Sequence, residues 1–150
     1  MESPKQRHDR ELIELLNELR VAMPGVQVLF GFLLAVPFAR GWPRVTRYER
    51  DVFFIAFMAA AVSSVLLMAT SSIHRIGWRV SDKGRIVRVG TWLTIAGLLA
   101  LALAITSAVL LVADYIFGLV AGIAAAATVA ALVLGFWYAL ALYVRARGAR

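Results

Sequence analysis

Few side chains in this protein are equipped for chemistry, and their spacing restricts what they can do. There is no cysteine, and the histidines are His8 and His74 alone. Thiolate nucleophiles and thiolate metal sites are therefore excluded, and two histidines so far apart do not suggest a haem or metal pair. No serine accompanies a base, no carboxylates are paired in an apolar setting, and no glycine-rich phosphate loop occurs. No metal, no cofactor and no enzymatic activity is expected. What remains is a set of neutral polar groups in apolar surroundings: Gln27; Ser63, Ser64, Thr70, Ser71 and Ser72; Thr94, Thr106 and Ser107; and Thr128. Serine and threonine can bond to their own helix backbone, so they read first as glue between helices. Gln27 is the exception, because its amide has more donors and acceptors than its own helix can satisfy. It lies one turn beyond Pro24, where the missing N–H frees a carbonyl. Any substrate or ion path would pass Gln27 and the hydroxyls of Ser63 and Ser64.

These residues sit in four apolar runs, Val21–Ala39, Val52–Ile73, Thr91–Ala113 and Tyr115–Val144, none of which contains an ionised side chain. About 20 helical residues cross the hydrocarbon core of a bilayer. An open-ended chain can satisfy its backbone there only as a helix. The expected fold is all-α: a four-transmembrane-helix bundle forming a single membrane domain over residues 1–150, preceded by an N-terminal amphipathic cytoplasmic helix over 8–20. An acidic amphipathic segment before the first run, with no small-residue cleavage site after it, does not read as a secretory signal. The Arg-over-Lys and Ala-rich bias suggests a GC-rich bacterial genome.

The net charge of +7 is a topology signal. Basic residues number four before the first run, five in the second loop and three in the tail, against four in the first loop and none in the third. The positive-inside rule then puts both termini in the cytoplasm of a bacterial cell, in its cytoplasmic (inner) membrane. Anionic head groups at that face are the default partner of the charge. No compact basic module points to nucleic acid.

In Arg10–Arg20, Leu12, Leu15, Leu16 and Leu19 form one helical face and Glu11, Glu14 and Glu18 the other. This helix either lies on the membrane surface or docks its glutamates on the arginines of the second loop. Gly41-Trp42-Pro43 is an interfacial turn with a belt tryptophan. The flanks of the second loop, Arg75–Val80 and Arg85–Val89, fit either short extensions of the second and third helices or a hairpin, and extensions are favoured. In the third connection, Ala113-Asp114-Tyr115, Asp114 is expected to cap the fourth helix. Small residues recur every four positions: Ala56, Ala60 and Ser64; Ala96, Ala100, Ala104 and Ala108; and, on the fourth run, Gly118, Gly122, Ala126 and Ala130 beside Ala127, Ala131, Gly135 and Ala139. Such stripes let membrane helices approach closely. Two of them on one helix suggest one for the bundle and one for another copy or another protein.

The run ELLNELRVAMPGVQVLF (residues 14–30), with FLLAVPF after it and His74-Arg75 further on, resembles a family of uncharacterised four-span bacterial membrane proteins common in actinobacteria. A proline often precedes the His-Arg element in that family, where Ser71, Ser72 and Ile73 stand here. The resemblance implies the four-span fold and singles out Asn17, Arg20, Pro24, Gln27, His74 and Arg75, without supplying an activity. Two readings follow. One is a non-catalytic, oligomer-forming or accessory scaffold protein that associates with itself or another membrane protein. The other is a small transporter or channel with an ion or proton path built between copies. The spans hold no Asp, Glu or Lys of the kind that proton relays use. If the acidic helix docks on the second loop, changing Glu11, Glu14 and Glu18 to Lys disturbs assembly measured by light scattering. Reversing Arg79, Arg85 and Arg88 to Glu then restores it, and assembly indifferent to the first change rules docking out.

Overall fold

The computed structural model describes residues 4–77 and 83–139. Its helices are α1 (Pro4–Ala35), α2 (Arg47–Gly77), α3 (Lys83–Phe117) and α4 (Leu119–Val133), with α4 running on into a π-helical turn at Leu134–Ala139. Four stretches are long and apolar enough to cross a membrane: Arg20–Phe38, Arg47–Ile73, Arg85–Phe117 and Leu119–Trp137. The second loop's flanks are helical at 75–77 and 85–89, as expected, because α2 reaches Gly77 and α3 begins at Lys83, while 78–80 lie outside the described residues.

The amphipathic segment and the first span form one uninterrupted helix with Pro24 inside it. Since Pro24 has no N–H, the Arg20 carbonyl loses its helical donor. A 3-10 turn at Val36–Phe38, with Pro37 in it, ends the helix, and a second one follows at Trp42–Arg44. Thr46 and Glu49 then start α2 as a capping box. The Glu49 N–H donates to Thr46 Oγ1 at 3.2 Å, while Glu49 Oε2 accepts from the Thr46 N–H and hydroxyl, each at 2.7 Å.

The densest packing joins α2 to α3. Glu49, Phe53, Ala56, Ala60, Ser63, Leu67 and Thr70 are all buried on α2, and Gly90, Thr94, Gly97, Leu101, Ala104 and Ser107 on α3. Their spacing alternates between three and four, the period of a left-handed coiled-coil seam. Gly97 is indispensable there, because a Cβ would lie 2.8 Å from Leu67 Cδ2 and 3.4 Å from Leu66 Cβ. Across one side of this pair lies α1, which inserts Val26 against Leu67 and Leu101, and Leu33 against Phe53 and Ala56. An aromatic row ties the same end together: Phe30 stacks on Phe57 at 5.2 Å, Phe57 on Phe53 at 6.0 Å, and Trp42 meets Phe53 edge-on at 4.9 Å. The fourth helix stands outside this core and packs on α3 alone among the described helices.

Two expectations need correction. Asp114 does not cap the fourth helix: it lies within α3, and the chain turns at Gly118. There φ is 89° and ψ 165°, a region essentially restricted to glycine. The Gly118 N–H donates to the Asp114 carbonyl at 2.8 Å, closing α3, and Gly122 then presses its Cα against Asp114. The four-residue stripe on α3 is also out of phase with the seam. Each four-residue step advances about 40° around a helix of 3.6 residues per turn, so Ala104 is buried while Ala96 is exposed. On the fourth run only the middle of the first stripe is inward: Gly122 and Ala126 are buried, Ala130 is half-buried and Gly118 is exposed at the turn, whereas Ala127, Ala131 and Gly135 face outward.

Gly97→Val should destabilise the protein in detergent by about 1–3 kcal/mol through overpacking. Gly118→Ala should cost a similar ~1–3 kcal/mol through backbone strain. Gly31→Ala, at a helical glycine with open space around it, serves as the neutral comparison in the same thermal unfolding assay.

Candidate functional site

The polar groups within the spans divide by what they bond. Ser63, fully buried, donates from Oγ across the seam to the Gly97 carbonyl at 2.8 Å. This contact exists because Gly97 has no side chain to hold the backbones apart. One end of the seam carries a second cluster, in which Thr70 Oγ1 donates to the Leu66 carbonyl at 3.3 Å. It also stands 3.5 Å from the Gly90 carbonyl and from Thr94 Oγ1. By contrast, Ser64, Ser72, Thr91 and Thr128 bond the carbonyl four residues back in their own helices. Ser63 and Thr70 thus reach from α2 to α3, the four others are satisfied within their own helices, and Ser71, Thr106 and the buried Ser107 make no hydrogen bond among the described residues. Ser63 and Ser64 are neighbours in sequence but have different partners, one across the seam and one within its own helix.

Gln27 is on α1 beside a narrow crevice to α2, with Met23, Val26, Ser64, Leu67 and Met68 around it. The crevice has no volume for a water molecule. The Gln27 side chain is exposed, and its amide makes no hydrogen bond among the described residues, including to the nearby Ser64 hydroxyl. Asn17, Arg20 and Pro24 are exposed along the same helix. Arg10 lies 3.9 Å from Glu14, one turn on, an exposed pair within α1. His74 and Arg75 fall in the last turn of α2. Their side chains lie outside the described residues, as do those of Glu11, Glu18 and Arg79. Gln27 and Ser64 are therefore brought together; Ser63 is withdrawn into the seam, and Asn17 and Arg20 stand apart from both.

Among the described residues no three His, Asp or Glu side chains converge to hold a metal. The Thr46–Glu49 capping box and the Gly97 contact were missed by the sequence reasoning. The first is legible as Thr-x-x-Glu ahead of an apolar run; the second has no signal beyond one more glycine in an apolar segment.

A model described as "Family of unknown function (DUF6328)" matches residues 1–141. This protein belongs to that family. Membership in DUF6328 spans all four membrane-crossing helices and every candidate residue above, in keeping with the resemblance seen around residues 14–30. No curated protein matches the chain, and no solved structure does. The DUF6328 description assigns no activity, so a function has to be argued from the residues themselves.

Ser63→Ala should weaken the α2–α3 seam by about 0.6 kcal/mol and at most ~1.7 kcal/mol, the range for hydrogen bonds between membrane helices. Ser64→Ala, which removes only a bond within its own helix, should cost less in the same unfolding assay.

Proposed function

We propose that this protein is a non-catalytic, oligomer-forming membrane protein, an accessory or scaffold subunit acting through the outer faces of its helices. Its place in this reading is a bacterial cytoplasmic membrane, with both termini in the cytoplasm as the arginine distribution indicates. The observation that carries the proposal is the Gln27 amide, exposed and without a hydrogen-bond partner among the described residues. It lies about 10 Å along the helix from Arg20, at 1.5 Å per residue, too deep to reach the head groups easily. An amide in hydrocarbon with no partner costs several kcal/mol, about 4–8 kcal/mol on the most apolar reference scale. A second copy removes that cost, because a glutamine amide both donates and accepts and so pairs with its own counterpart. Polar side chains join membrane helices in this manner. The outward small face of α4 at Ala127, Ala131 and Gly135 offers a further close-approach surface.

A second reading draws on the same residue. Gln27 facing outward could line a neutral path between copies, since hydroxyls, amides and carbonyls can replace a hydration shell. A path inside one subunit finds no support in the dry crevice beside Gln27. Native mass spectrometry in nanodiscs and ion flux in liposomes separate the two readings. The scaffold reading expects a defined oligomer that passes no ions. Gln27→Leu then weakens association by roughly tenfold, the equivalent of ~1–2 kcal/mol. Flux above the protein-free level, lost in Gln27→Leu, would put transport first. A monomer in both proteins would overturn self-association.

A further inference from the structure

At the end of the bundle away from the second loop, the loop between α1 and α2 and the end of α3 enclose an open cavity of about 290 Å³. Val36, Trp42 and Val45 form one wall, and Leu111, Val112 and Ile116 the other. The lining is almost wholly apolar. Its volume sits at the lower end of small-molecule sites, which run from about 300 Å³ upward, so it suits one slender apolar segment. Its walls are held in place from both sides. Trp42 is fixed edge-on against Phe53. Tyr115, on α3, passes so close to Gly41 that a Cβ there would be 2.8 Å from the phenolic oxygen. The loop and α3 thus meet at the rim through the Tyr115 phenol.

The same loop carries Arg40 and Arg44, each adjacent in sequence to residues of the cavity wall, and both are exposed. Neither has an ion-pair partner among the described residues. Of the acids at this end, Glu49 is buried and engaged by Thr46, and neither Asp51 nor Asp114 forms an ion pair with them among the described residues. An apolar slot whose rim loop also carries two exposed guanidinium groups, unpaired among the described residues, is complementary to an amphiphile with an anionic head. Arginine binds phosphate oxygens in a bidentate fork, and Trp42 marks this level as the membrane interface.

We infer that this cavity is a binding site for one acyl chain of an anionic phospholipid, whose phosphate is held by Arg40 and Arg44. This site lies at the opposite end from the more basic second loop. It is independent of Gln27, so its failure would leave self-association untouched.

The test reconstitutes the full chain in nanodiscs of equimolar phosphatidylglycerol and phosphatidylcholine. Lipid that stays bound after mild detergent extraction is then identified by native mass spectrometry. One phosphatidylglycerol per chain is expected, in preference to phosphatidylcholine. Arg40→Gln combined with Arg44→Gln, two exposed changes that do not touch the fold, should reduce that preference by about tenfold. Val112→Trp should fill the slot and abolish retention of either lipid, with helix content by circular dichroism unchanged. If that variant does not fold, Ile116→Phe replaces it. Arg85→Gln with Arg88→Gln, at the other end, should leave the preference as it is. Equal retention of the two lipids by the unaltered protein would overturn the inference. So would an adduct that survives filling of the slot, or a preference lost in the Arg85 and Arg88 variant alone.

Discussion

The structure depends on how closely α2 and α3 can approach. Within lipid, burying apolar surface gives helices no advantage over leaving it against acyl chains, so contact area and hydrogen bonds have to hold them. At Gly97 both are supplied by one absent side chain: Leu67 packs where a Cβ would be, and the Ser63 hydroxyl reaches the exposed carbonyl. Once this pair is set, α1 has a surface of Ala56, Ala60 and Leu67 to lie on, and α3 presents Asp114 to the glycine that begins the α4 contact.

That arrangement distributes polarity in a definite way. The seam takes up Ser63, Thr70 and Thr94, whose hydroxyls find partners there. Gln27 is left outside, on the surface of α1. A core built on alanine and glycine, with these hydroxyls engaged, has little capacity for solvent or substrate, and apart from the buried Ser107 most groups still able to bond lie on outward faces or in the loops. The chemistry available to the protein is therefore the chemistry of surfaces, those presented to lipid and those presented to another chain.

Much of this architecture was legible in the residues. The four apolar runs announce four helices, because ionised groups are costly in hydrocarbon and their absence over about 20 consecutive positions marks a membrane span. The helical flanks of the second loop, as far as they are described, followed from pattern as well, whereas the two stripes of the fourth run did not say which of them faces inward. The turn after α3 did not. Asp114 has the chemistry of a cap, but the break depends on one residue adopting positive φ, and Gly118 looks in sequence like any other member of a small-residue ladder. The seam on α3 was misphased for a geometric reason, since a strict four-residue stripe winds around the helix while the true contact alternates threes and fours. Gln27 was visible as unusual from its side chain alone, but whether it faced inward or outward was decided by packing.

The partners of each helix have a temporal consequence. Among the described helices α1 meets α2 and α3, α2 meets α3, and α4 meets only α3. No early segment has to wait for the end of the chain to complete its contacts. A polypeptide emerging from its N-terminus can therefore assemble its three-helix core before the last span is made. That span then folds back through a single-residue turn at Gly118 onto the helix synthesised just before it. Maturation in the membrane becomes a vectorial process, each span settling on a surface that already exists. A chain truncated after α3 would keep its central seam and lose α4 together with the outward small face that α4 carries.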